Sequence, residues 1–257
     1  MTLAEAPAAP APAPGVRRPR TLVIIPAYNE EAALPDVLSE LAAKAPELDV
    51  VVIDDGSTDR TAACAEAAGI NIVRLPFNVG VGAALRVGFR YAANRRYERV
   101  VQLDADGQHD PAEIATLLAA LDDGADLVVG SRFTGQGDTY PVSRLRKRAM
   151  GLLQVTVRML SGHRFTDTTS GFRAMSSPML ELFARDYPAE FMSDTVEALV
   201  VACTAGFRVT EVATPMRRRS GGVPSHRDLK LAYHYTRLLF ALLMQANRRR
   251  VQTATTR

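Results

Sequence analysis

Tryptophan is absent from this sequence, and cysteine and histidine are scarce: two and four in 257 residues. The two cysteines, Cys64 and Cys203, sit in helix-like surroundings and form neither a disulfide framework nor a zinc site, so buried free thiols are expected. The histidines (His109, His163, His226, His234) show no H-E-x-x-H spacing, and there is no G-x-S-x-G elbow, which removes metalloprotease and covalent hydrolase chemistry. A G-x-x-x-x-G-K-[ST] loop is missing too. The glycines at 80, 82 and 88 fall at a helix start after a strand and carry little weight for a dinucleotide cofactor. No window approaches the roughly 18 apolar residues needed to cross a bilayer; the best, Leu238 to Met244, is short. Aromatic residues make up 6% and do not alternate with basic ones, so no nucleic-acid partner is expected. Residues 1–20 are Ala/Pro low complexity without the basic start and apolar centre of a secretory signal, which predicts a disordered tail and a cytoplasmic chain.

What is present is an alternation of short, nearly continuous apolar runs with helical periodicity. "TLVIIPA", "DVVVID", "INIVRL", "RVVQL" and "ADLVVGSRF" read as strands, separated by helices over about 30–45, the Ala-rich stretch after Ser57 and Asp59, 79–94 and 111–121. This predicts an α/β fold, a Rossmann-like, mostly parallel sheet with helices on both faces. Ligands bind such sheets beyond the carboxyl ends of the strands, and polar groups gather there: Tyr28-Asn29-Glu30, Asp54-Asp55, Asp104-Ala105-Asp106 and Ser131-Arg132. After residue 133 the pattern changes. A basic amphipathic helix is expected over 143–161, then a polar loop "DTTSGFRAMS", helices over 176–185 and 193–205, a strand running into Arg217, Arg218 and Arg219, and a last helix from about 229 to 249.

In "DADGQHDP" (104–111), Asp110-Pro111 is a helix start, while Asp104 and Asp106 are spaced to hold a hard divalent cation such as Mg²⁺ or Mn²⁺ that keeps waters and substrate phosphates as its other ligands. A diphosphate leaves readily only when its charge is compensated, by such an ion and by arginines. The arginines cluster: Arg144, Arg146, Lys147 and Arg148; Arg217 to Arg219; Arg248 to Arg250. Such groups suit phosphates or an anionic membrane surface, or form solvated faces.

Taken together and in order, "IIPAYNEE", "VVIDDGSTD", "NVGVGAALRVGF", "QLDADGQHDP", "GSRF" and "DTTSGFRAM" resemble the family 2 glycosyltransferases of GT-A fold, and within them the dolichol- or polyprenol-phosphate mannosyltransferase and glucosyltransferase branch. The resemblance covers about residues 21–226. It implies a GT-A domain over 21–228, followed by a C-terminal amphipathic helix and basic tail over 229–257. It implies an inverting transfer of a hexose from a nucleotide-diphosphate sugar, GDP-mannose or UDP-glucose, to a polyprenyl phosphate. Position by position, Pro26, Tyr28, Glu30, Ile53 and Asp55 would line the nucleotide pocket. Asp104, Ala105 and Asp106 would hold donor and metal, with Gln108 as a further metal ligand. Arg132 would lie near acceptor or donor, Asp167, Ser170, Gly171, Phe172 and Arg173 near sugar and acceptor, and Arg218, Arg219 and Ser225 over the diphosphate. His226 stands where the family pattern has a cation.

A lipid phosphate acceptor is already anionic and needs no strong base; an alcohol acceptor would need one, with Asp167 or Glu197 as candidates. The helix over 143–161 and the segment 229–247 would lie in the membrane interface on the cytoplasmic face, or pack on the core or on a second copy in a homodimer; a small integral membrane partner could present the lipid. The competing readings are a soluble or polysaccharide acceptor, a nucleotidyltransferase, and a non-catalytic nucleotide-sugar binder.

Overall fold

The computed structural model describes residues 19–133, 144–188 and 194–217, with backbone alone for 144–150, 152 and 194. Seven strands form one sheet in the order β3-β2-β1-β4-β6-β5-β7. They are β1 (Thr21–Ala27), β2 (Asp49–Asp54), β3 (Asn71–Arg74), β4 (Arg99–Gln102), β5 (Leu127–Ser131), β6 (Arg173–Ser176) and β7 (Val209–Ala213). The helices are α1 (Leu34–Lys44), α2 (Thr61–Ala67), α3 (Val81–Asn94), α4 (Ile114–Asp122), α5 (Arg144–Ser161), α6 (Ser177–Asp186) and α7 (Asp194–Thr204).

The continuous apolar strands are explained by cover on both faces. Along β1, Leu22 and Ile24 join a core built with α3, α5, α6 and α7, while Val23 and Ile25 join one built with α1, α2 and α4. Gly88 of α3 lets the helix come down onto the sheet, because a Cβ there would stand 2.6 Å from Ile24 Cγ2. The glycines after β3 thus serve packing and the entry to α3. Cys64 and Cys203 are free thiols, half-buried rather than buried.

One strand departs from the sequence reading. The end of the segment expected to be a polar loop is β6, which runs antiparallel between β4 and β5. It is four residues long, and its first, Arg173, is charged yet fully buried. Its Nε donates to Ser170 O at 2.9 Å, and a terminal nitrogen donates to Thr195 O of α7 at 2.9 Å. A buried charge held by carbonyls looks like a solvated one in sequence.

The register places the functional edge. Ala27 pairs with Asp54 and Ile24 with Gln102, so the carboxyl ends of β1, β2 and β4 open side by side. Gln102 of β4 and Val129 of β5 both pair with Arg173, so the chain entering β6 runs back between the outlets of β4 and β5.

Candidate active site

A cavity of about 260 Å³ opens at that edge. Pro26, Ala27, Tyr28 and Glu30 line it from the end of β1, Asp55 from β2, Asn78, Gly80, Val81 and Ala84 from the entry to α3, and Asp104, Ala105 and Asp106 from the end of β4. The loops are tied to one another. Asn29, in the left-handed region at φ 55°, accepts from Thr58 N through its side-chain oxygen at 2.9 Å, and its own amide donates to Ser57 Oγ at 3.0 Å. Glu30 N donates to Thr61 Oγ1 at 2.9 Å. Asp55 accepts from Val79 N (2.8 Å) and Gly80 N (2.9 Å), one per carboxylate oxygen. Burial nevertheless pushes its carboxyl above the ordinary value, against those two bonds. Gly56 permits this convergence: at φ 71° a Cβ would lie 2.4 Å from the Phe77 carbonyl carbon.

The acidic turn divides as its sequence suggests. Asp110 caps the short 3₁₀ turn Pro111–Glu113, accepting from Ala112 N at 2.9 Å. Asp106 accepts from Gln108 N at 3.0 Å. The side chain of Asp104 is 36% exposed and packs against Gly171, where a Cβ would stand 2.6 Å from Oδ2 and 2.7 Å from Oδ1. Behind it His109 is buried and stacked on Phe172, with ring centroids 4.9 Å apart and Nε2 4.0 Å from Asp104 Oδ2. Its Nδ1 has no hydrogen-bond partner among the described residues. Burial lowers its pKa to about 4, so the ring is neutral near pH 7. Asp104 and Asp106 fit a hard cation by donor chemistry. Among the described residues no set of three or more His, Cys, Asp or Glu converges as a metal cage.

Beside this turn lies a second polar cluster. Arg132, just after β5, grips the fully buried Asp167 through Nε (2.6 Å) and a terminal nitrogen (2.7 Å), and reaches Thr169 Oγ1 at 2.6 Å. Burial pushes the Asp167 carboxyl up, but the Arg132 guanidinium outweighs it and holds the carboxyl below its usual value. Glu211 of β7 holds the loop from below, accepting from Thr166 N (2.8 Å) and Asp167 N (2.8 Å). Both charges of the pair, together with Asp106, act electrostatically on the His109 ring.

Several expectations change. Ile53 is fully buried in the core beneath α3, packed with Ala84 and Leu85, and does not line the cavity. Ser170 is buried, with its hydroxyl accepting from Phe172 N, and Arg173 is spent in the core, so neither is exposed to an acceptor. Arg132 and Asp167 form a buried ion pair, and a carboxylate so held is a poor general base. The Gln108 side chain lies outside the cavity lining; its backbone braces Asp106. Glu197 is half-buried on α7. Gly171, expected near sugar and acceptor, packs on Asp104. Asn78 and Glu211 are site residues that the sequence reading did not name, and an acid at the centre of the strand VTEVA was the available signal for Glu211. Arg218, Arg219, Ser225, His226, the tail over 1–18 and the segment 229–257 lie outside the described residues.

A seven-stranded sheet with one reversed strand, and an acid-bearing cavity at its carboxyl edge, define the fold class as GT-A. The chain belongs to glycosyl transferase family 2, whose sequence profile matches residues 22–182. It is 35% identical over 227 residues to the polyprenol monophosphomannose synthase of Mycolicibacterium smegmatis, covering 82% of this chain and 83% of that one. It is 37% identical over 174 residues to the undecaprenyl-phosphate mannosyltransferase of Micrococcus luteus, covering 65% and 70%. In fold it is similar to the glucosyl-3-phosphoglycerate synthase of Mycobacterium tuberculosis in complex with phosphoglyceric acid, with a TM-score of 0.69 at 22% identity over 88% of this chain and 79% of that one. The same synthase is also known in complex with Mn²⁺, uridine diphosphate and phosphoglyceric acid.

Proposed function

We propose that this glycosyltransferase moves a hexose, mannose or glucose, from a nucleotide-diphosphate sugar to a polyprenyl phosphate with inversion, in a reaction that depends on Mg²⁺ or Mn²⁺. The observation that carries the reading is the shared cavity: the polar ends of β1 and β2 face the paired acids after β4. The relatives named for polyprenol and undecaprenyl phosphate supply the acceptor class. Pro26, Tyr28, Glu30 and Asp55 would receive the nucleoside, with Asp55 acting by fixing the 79–80 turn. Asp104, Ala105 and Asp106 would face the diphosphate, with Gln108 beside them on the same turn and Arg218, Arg219 and Ser225 as further donor contacts. A divalent cation would offset the charge that develops on the departing diphosphate. Arg132 and Asp167 would shape the floor rather than exchange a proton. A phosphate oxygen ionised near neutral pH attacks the anomeric carbon without deprotonation, which agrees with a site whose Asp167 is ion-paired.

Thermal shifts with GDP, UDP and their sugars plus Mn²⁺ should reveal one preferred donor, and Asp106→Ala should lose most of that stabilisation. An unchanged shift in the variant would refute the site. Hexose transfer to polyprenyl phosphate, and none to a soluble phosphorylated acid, is the expected product pattern; the reverse would support the soluble-acceptor reading. Pyrophosphate release would indicate a nucleotidyltransferase.

Membrane attachment at the cytoplasmic face is part of the same proposal. Helix α5 exposes Val155 (55%) and Met159 (78%), one turn apart, and its first half is basic in sequence. No helix among the described residues is long and apolar enough to cross a membrane. Anionic vesicles should therefore sediment the protein at low salt and release it at high salt. Absence of binding at both would leave a second copy or a small integral membrane partner as the surface that α5 meets.

A further inference from the structure

Of the arginine cluster 217–219, Arg217 is the one the structure describes, and its guanidinium enters a balanced four-charge knot. One terminal nitrogen donates to both oxygens of Glu40 on α1, at 3.0 and 2.7 Å, and the other donates to Asp110 Oδ2. Lys44, one turn beyond Glu40, closes the knot with 2.8 Å bonds to Glu40 Oε2 and Asp110 Oδ1. Hydrogen bonds from Lys44 and Arg217 hold Glu40 below its ordinary pKa, so both acids are charged partners. The backbone follows the side chain. Arg217 N donates to Gln108 O at 2.8 Å, and Met216 forms an antiparallel bridge with His109.

The four side chains are between 24% and 38% exposed, and ion pairs that wet contribute little to overall stability. What they do instead is local. Residue 108 is held from one side by Arg217 N, while its own amide donates to Asp106 Oδ1 on the other. Asp110, which Arg217 and Lys44 grip, closes the same turn two residues later. A tether from α1 through Arg217 to residue 108 therefore ends on a carboxylate of the acidic pair.

We infer that Arg217 is a positioning residue for the Asp106 carboxylate: it fixes the 108–110 segment against α1, so that the acidic pair meets a metal–diphosphate already oriented. This rests on the reading of Asp104 and Asp106 as the metal and diphosphate grip. It also separates Arg217 from direct donor contact. Outer partners of metal ligands typically change metal affinity by roughly ten- to a hundredfold when lost.

Calorimetric titration of GDP and UDP, with and without Mn²⁺, tests this on the full chain in wild type, Arg217→Gln, Glu40→Gln and Arg217→Lys. The expected result is Mn²⁺-dependent nucleotide binding weakened by roughly tenfold in the two glutamine variants, with metal-free nucleotide binding and melting temperature unchanged and partial recovery in Arg217→Lys. Glu40→Gln removes the partner that anchors Arg217 while leaving residue 217 and the acidic turn unaltered in sequence, and so guards against a folding artefact at position 217. Wild-type Mn²⁺ dependence in both glutamine variants overturns the inference. Parallel loss of metal-free and Mn²⁺-dependent binding with a lowered melting temperature also overturns it, since the knot would then serve the fold alone. A wild type that binds neither nucleotide in a Mn²⁺-dependent way overturns the proposed function, and this inference with it.

Discussion

Replacing Gly171 with alanine should disable the acidic pair while leaving the fold in place. The backbone at Gly171 is not in the left-handed region, so alanine meets no backbone strain there. The new methyl would lie 2.6 Å from Asp104 Oδ2, 2.7 Å from Oδ1 and 3.0 Å from Cγ. Reaching ordinary contact at 3.4 Å requires the carboxylate to retreat by about 0.8 Å. Because the obstructed group is the end of a side chain, the retreat is a rotation of Asp104, costing about 0.5–1.5 kcal/mol if it leaves its rotamer well. Gly→Ala at a compatible site returns about 0.4–1 kcal/mol through the unfolded chain. The two nearly cancel, so urea denaturation should place the variant within about 1 kcal/mol of wild type.

Function should respond quite differently. A displacement near 1 Å in a positioned group costs roughly a hundredfold in rate, and a moved carboxylate weakens whatever cation it grips. The assay pairs urea midpoints with Mn²⁺-dependent nucleotide binding and initial rates of hexose transfer. Stability near wild type with binding and turnover both depressed is the expected pattern. A variant with wild-type binding and turnover would refute the reasoning, because the Asp104 position set by Gly171 would then not matter to the chemistry.

Other consequences follow from the same side chains. Asp167→Ala removes the carboxylate that meets the Arg132 guanidinium, whose side chain is 9% exposed, and should destabilise by about 3–5 kcal/mol in urea; a loss under 1 kcal/mol would mean the pair is not held as described. The folded Asp167 pKa is lowered, so its contribution is complete above the unfolded value near 3.9 and is lost only as pH falls through the still lower folded value. No change from this pair is therefore expected between pH 8 and 5. His109 acts in another window: its folded pKa of about 4 lies below the unfolded 6.5, so its stabilising neutrality is complete above 6.5 and erodes as pH falls towards 4. Between pH 6.5 and 5 the metal-free protein should lose on the order of 2 kcal/mol. His109→Phe, which keeps the stack on Phe172, should lose less, and an equal pH slope in both proteins would count against a buried neutral imidazole.

The strands that carry the cavity were legible because they are apolar throughout and end abruptly in polar groups. Tyr28, Glu30, Asp55, Asp104 and Asp106 could be placed at one edge from that pattern alone, and they line one cavity. The order of the strands was not legible, since it depends on pairings such as Gln102 with Arg173 across 71 positions of chain. The second polar cluster failed for a related reason. Arg132 meets Asp167 after 35 residues and Glu211 meets Asp167 N after 44, and each looks like a solvated charge until its partner is known. Ile53 was assigned to the nucleotide pocket by the resemblance; it lies on the α3 side of β2, two residues before Asp55, and is sealed into the core by Ala84 and Leu85.

Acid residues at this edge do two kinds of work, and composition cannot separate them. Asp54 accepts from Ser57 N, Asp55 from Val79 N and Gly80 N, Asp110 from Ala112 N, and Glu211 from Thr166 N and Asp167 N. These carboxylates replace missing backbone partners in loops that must converge, which is a structural role. Asp106 does the same for Gln108 N while also facing the cavity, and Asp104 is boxed between Gly171 and His109. Asp167, the acid first considered as a base, is neutralised by Arg132. A carboxylate committed to amides or to a guanidinium does not readily take a proton from an alcohol. An acceptor whose oxygen arrives ionised removes that demand, and a phosphate monoester is such an acceptor. The way this edge uses its acids therefore favours transfer to a phosphate over transfer to a hydroxyl, independently of the names of the relatives.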